Sequence, residues 1–107
     1  PDAKMGVDGN RQAGSLYDMI PAVPQNAKPV GEWNQVVIRV DQGNVVFRQN
    51  GENVVSFTIG TDEWRQLCAN SKFKDWEWFV NLPKEGHIGL QDHGFEVWYR
   101  NIKIKEL

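Results

Sequence analysis

The sequence predicts an all-β fold, an antiparallel sandwich with one short helix. Three observations carry this expectation. Apolar and polar residues alternate with period two from Trp33 onward, Asn50-Gly51 lies between two β-branched runs, and a helical pattern shows only around residues 62–70. With 107 residues, 40% of them hydrophobic and 24% charged, the chain reads as a single domain over residues 1–107.

Residues 1–32 are rich in Gly, Pro, Asp and Asn, with one short strand candidate around "RQAGSLYDM". The run "IPAVPQNAKPVGEW" carries Pro21, Pro24 and Pro29 and reads as an extended surface loop. "WNQVVIRV" is a strand by alternation and β-branched content, "DQGN" turns the chain, and "VVFRQ" returns. "NGEN" turns it again into "VVSFTIG", because Asn and Gly both tolerate positive φ. In "TDEWRQLCANS", Thr61 can cap a helix, Asp62 and Glu63 suit its positive end, and Trp64, Leu67 and Cys68 fall on one face. The aromatic "KFKDWEWFVNLPKEG" lacks periodicity and reads as a long packed loop; "HIGLQDH" and "EVWYRNIKIKEL" read as two closing strands.

Composition excludes several functions. A net charge of -2, without a basic run interleaved with aromatics, gives no nucleic-acid surface. No apolar run approaches the ~20 residues of a membrane span. The lone Cys68 rules out an internal disulfide framework and a multi-cysteine zinc site, and beside Leu67 it reads as a buried apolar residue.

The stretch "GHIGLQDHG" raises the question of function. Side chains alternate across a strand, so His87, Gly89, Gln91 and His93 share one face while Ile88 and Leu90 point into a core. Gly89 removes a side chain from the polar face and opens room for something flat, such as a sugar ring; the plain alternative is a solvent-washed face. The two histidines cannot share a metal ion. Six residues of strand separate them by roughly 20 Å, against a zinc–imidazole distance of about 2 Å. In the last strand, strict alternation would bury Arg100 with Ile102 and Ile104, whereas a bulge near Asn101 would turn Arg100 toward His93. Both orientations stay open.

Taken in order, "GEWN", "NG", "EW", "SKFKDW", "GHIGLQDHG" and "VWYRNIKIKEL" resemble the C-terminal half of the 3-keto-disaccharide hydrolase domain family. "RQAGSLYDMIPA" is similar to that family's mid-domain segment, so the resemblance covers about residues 10 to 107. It implies a concanavalin A-like jelly-roll sandwich of which this chain is about half. Another chain or an N-terminal segment would complete the sandwich. It also implies an oxidised glycoside as partner and a periplasmic or extracellular home, although no signal peptide opens the chain; the residues themselves name no cofactor and no set of metal ligands.

The chemistry that the resemblance implies needs a base near C2 of a 3-keto sugar, donors for the enolate oxygen and an acid for the leaving group. By residue type His93 is the acid/base, because histidine titrates near neutrality, and Arg100 meets the developing negative charge, with Asp92 and Glu96 as candidate partners of His93 or Arg100. Gln91 would orient the sugar, with His87, Glu96, Tyr17, Gln12 and Trp76 lining the groove and Trp78 beside Trp76. Each has a plainer reading: a turn at His93-Gly94, a cap at Asp92, a solvated charge at Glu96, loop packing at Trp76. A non-catalytic carbohydrate-binding module and a laminin-G-like interaction module remain alternatives on the same fold. No E-x-D-x-x-E row of carboxylates appears, against an ordinary two-carboxylate glucanase.

Overall fold

Two tight turns build the sheet. Gln42 and Gly43 take φ of 49° and 83°, and Asn50 and Gly51 take 51° and 87°. Two successive positive φ values give the turn whose twist matches that of paired strands. Accordingly β1 (Val36–Asp41), β2 (Asn44–Gln49) and β3 (Glu52–Thr58) form an antiparallel meander with β2 central. The computed structural model describes residues 7–83, 85–91, 94 and 96–107.

The register pairs Val36 with Gln49, Ile38 with Phe47 and Val40 with Val45, and β2 pairs onward through Phe47 with Val55 and Val45 with Phe57. These residues therefore share one face, which is apolar apart from Gln49. After Phe47 the register shifts, since Arg48 pairs with Asn53, and Val54 is the extra residue of a bulge. The bulge lets Val54 and Val55, neighbours in sequence, enter one buried cluster with Ala22.

Thr61 starts α1 (Asp62–Ala69) as expected, its hydroxyl accepting the Trp64 N–H at 3.1 Å. Trp64 and Cys68 are buried with Met19, and Phe57, Phe73, Phe79 and Val80 pack around them. The Trp64 ring stacks on Phe57 at 5.5 Å and its indole N–H donates to the Val80 carbonyl at 2.9 Å, so a large aromatic is buried with its polar atom satisfied. Burial raises the Cys68 thiol above its ordinary pKa, consistent with its reading as an inert apolar residue.

Three expectations need correction. Residues 10–20 make turns and a single bridge, Leu16 to Ile20, instead of a strand, because Gly14 (φ 86°) and Asp18 (φ 62°) leave the extended region. The aromatic loop contains one helical turn, α2 (Glu77–Val80), held under Trp64. Among the described residues the two closing strands do not form. Residues 86–91 and 96–107 make no ladder, and Ile88, Leu90, Ile102 and Ile104 are exposed where a core was expected. A strand exists only through pairing, and among the described residues no edge pairs with these segments. The structure is thus, among the described residues, a three-stranded antiparallel sheet with few helices. Among the described residues no helix is long and apolar enough to cross a membrane.

Candidate functional site

The turn that closes β2 onto β3 also fixes the chain entering β1. Asn50 donates from Nδ2 to the Asn26 carbonyl and to Asn34 Oδ1, both at 2.9 Å, while its Oδ1 accepts the Gln35 N–H at 2.9 Å. Asn34 Oδ1 also accepts the Lys28 N–H at 2.8 Å. The two motifs "GEWN" and "NG" are therefore one hydrogen-bonded unit, and Trp33 projects from it with 40% of its surface exposed.

Against that ring lies Arg100, its guanidinium carbon 4.0 Å from the ring centroid. Such a contact orients a cation without neutralising it. Among the described residues no carboxylate pairs with Arg100. Arg100 is exposed, next to Asn101 at φ 54°, and so is not buried as strict alternation would have it; His93, toward which a bulge would turn it, lies outside the described residues. There is no ladder for a bulge to interrupt. The positive φ itself breaks the alternation that would have grouped Arg100 with Ile102.

Tyr99 joins the two extended segments, its hydroxyl donating to the Gln91 carbonyl at 2.7 Å. Gln91 and Arg100 are thereby tied to one strip. Glu96 belongs to it by sequence, its carboxylate accepting the Trp98 indole N–H. His87 is exposed on the first segment. Asp92 and His93 lie outside the described residues.

Tyr17 and Gln12 belong to a second neighbourhood. Arg11 and Lys72 approach the Tyr17 ring at 5.6 and 4.9 Å. Asp18 accepts Arg11 Nε at 2.8 Å and the Lys72 N–H at 2.9 Å. Burial alone would raise the Asp18 pKa, but these two donors outweigh it and hold the carboxyl below its ordinary value. The Asp18 hydrogen bond correspondingly raises that of Arg11. Trp76 is elsewhere again, ahead of α2, edge-on to Phe73 at 5.0 Å and stacked with Trp78 at 5.7 Å. Trp76 thus packs within its loop while 42% of its surface is open.

Two shallow depressions on the sheet, one bounded by Gly14, Val36 and Phe47 and one by Val23, Val46 and Ser56, include none of the expected site residues. No cluster of three metal-ligating side chains occurs among the described residues. The participant that sequence reasoning missed is Trp33, read only as the first residue of a strand. The adjacency of "GEWN" and "NG" in the hairpin register was the signal that could have found it.

The profile of the 3-keto-alpha-glucoside-1,2-lyase-like domain matches residues 2–105. The chain belongs to that family. Among its relatives, a protein from Bacteroides thetaiotaomicron named 3-keto-disaccharide hydrolase is 52% identical over 116 residues, covering all of this chain and 40% of the relative. A crystal structure of a protein assigned as a glycosyl hydrolase from Parabacteroides distasonis superposes with a TM-score of 0.58 at 27% identity, over 63% of this chain and 31% of that one. This member of the 3-keto-alpha-glucoside-1,2-lyase-like family therefore spans well under half the length of both. The resemblance read from "GHIGLQDHG" and "VWYRNIKIKEL" pointed to the same family.

Proposed function

We propose that this chain is part of a glycoside-cleaving enzyme whose substrate is a glycoside oxidised to a ketone at C3. The observation that carries the reading is the 52% identity, over the whole chain, to a protein named 3-keto-disaccharide hydrolase. The family's description, a lyase-like domain for a 3-keto-alpha-glucoside, supports elimination as the first step.

In this mechanism His93, partnered by Asp92, removes the C2 proton, and the electron pair passes to the C3 oxygen as an enolate. Arg100 meets that oxygen, which suits a cation held against an aromatic face instead of a carboxylate. The enolate expels the C1 substituent, which takes a proton from an acid, leaving a C1–C2 double bond. Water then adds across it, hydroxyl to C1 and hydrogen to C2, so that the net change is hydrolysis. Gln91 orients the sugar, and His87, Glu96, Tyr17, Gln12 and Trp76 line the groove.

The proposal includes a completed jelly roll. The apolar face of the sheet is open over β1, where Val36, Ile38 and Val40 are 57%, 62% and 55% exposed, and strands from the rest of a longer protein would cover it. They would also pair with residues 86–107 and bring Tyr17 and Trp76 to one groove with Arg100. A periplasmic or extracellular home goes with this reading.

Proton NMR of a 3-keto-glucoside with the full-length protein in deuterated water tests the function. Loss of the C2 proton together with aglycone release, both suppressed by His93→Ala, is the expected result. Line broadening without either change would make the protein a carbohydrate-binding module, and no change of any kind would overturn the reading.

A further inference from the structure

We propose that Trp33 is a positioning residue for Arg100, presenting its guanidinium to the substrate oxygen. The inference rests on the role given to Arg100 above. It goes beyond that role in naming what holds the cation.

A ladder formed with the rest of the protein would set the backbone of the segment carrying Arg100, but the place of its long side chain's guanidinium is decided by side-chain contacts. Two such contacts are present. Tyr99 anchors the backbone beside it through its hydrogen bond to the Gln91 carbonyl, and Trp33 receives the guanidinium carbon at 4.0 Å. Trp33 can serve as a fixed surface because the residue after it is bonded into the sheet: Asn34 is joined to Asn50, and Asn50 to the Gln35 N–H. The chain of support thus runs from the β2–β3 turn through Asn50 and Asn34 to the indole and the cation. A cation held against an aromatic ring is not neutralised, so the charge and the donors turned away from the indole stay available to an oxygen. A carboxylate partner would occupy those same donors and cancel the charge.

A double-substitution cycle on the full-length protein, with 3-keto-glucoside turnover as one readout and NMR of the Arg100 Nε–H as the other, tests the proposal. Trp33→Leu is expected to lower kcat roughly tenfold with KM little changed. Trp33→Phe, which keeps an aromatic face, should recover most of the loss. In an Arg100→Ala background Trp33→Leu should have no further effect. The Nε–H proton should resonate upfield through the ring current in the native protein and in Trp33→Phe, and move downfield in Trp33→Leu.

Equal effects of Trp33→Leu with and without Arg100 would overturn the proposal, because Trp33 would then act on the substrate by itself. So would an unshifted Nε–H in the native protein, a result that holds even if Trp33→Leu fails to fold. An Arg100→Ala protein with full turnover would remove the role of Arg100 itself, and the proposal with it. An inactive Arg100→Ala beside a fully active Trp33→Leu would remove only the role of Trp33.

Discussion

The same sheet is finished at one side and open at the other. Over β2 and β3 its apolar face is covered by Leu16, Ile20, Ala22 and, against Phe57, by Trp64 with Phe79 beside it. Over β1 the same face, with Val36, Ile38 and Val40 in register, lies open, and so do Ile88, Leu90, Ile102 and Ile104 beyond it. Both regions are equally β-like by alternation and composition. What differs is the presence of a covering layer. Alternation records which face a residue is made to bury, whereas burial requires a second surface within reach.

This contrast can be broken from its covered side first. Trp64→Ala removes a buried indole with its hydrogen bond to Val80, and should cost about 3–5 kcal/mol in urea unfolding. The matching change on the open side, Ile38→Ser, should shift the stability of this chain by no more than about 0.5 kcal/mol. A loss of several kcal/mol at Ile38 would mean that β1 is already covered.

Gly14→Ala should cost about 2 kcal/mol, measured the same way. Gly14 sits at φ 86°, and a Cβ there would come within 2.9 Å of Gln49 Nε2. Gln49 is buried and cannot swing aside freely, since that nitrogen donates to Asn26 Oδ1 at 3.0 Å. An Ala variant as stable as the native chain would show that this packing is loose. Thr61→Ala should cost about 1 kcal/mol through loss of the α1 cap, and Thr61→Ser should restore most of it.

The smallest effect concerns pH. The Asp18 carboxyl is held below its ordinary pKa, so its contribution is fully present above the unfolded value near 3.9 and is lost as pH falls through the lower folded value. Stability should therefore decline on acidification through and below about pH 4, and Asp18→Asn should flatten that decline while leaving the Thr61 effect unchanged. An identical acid limb in native and variant chains would assign the decline to other carboxylates.

Much of the covered region was legible because its signals are local. Asn50-Gly51 specifies a turn through the φ values two adjacent residues tolerate, and Thr61 with Trp64, Leu67 and Cys68 specifies a capped amphipathic helix within two turns of chain. The family, too, was legible from short ordered motifs. The expected strand around residues 11–19 failed because Asp18 is drawn to φ 62° while accepting Arg11 and the Lys72 N–H, a partner that arrives from beyond the end of α1. The site shows the same division. Arg100 could be named from its charge and place in the motif, but its orientation could not, since alternation presumes a ladder that does not form there. Local sequence thus determined the turns, the helix, the apolar faces and the kind of residue available for chemistry. Tertiary structure alone decided that Val54 and Val55 are both buried and that Trp33 receives Arg100. Each of these depends on which distant segment arrives at a surface, and spacing along the chain does not encode that arrival.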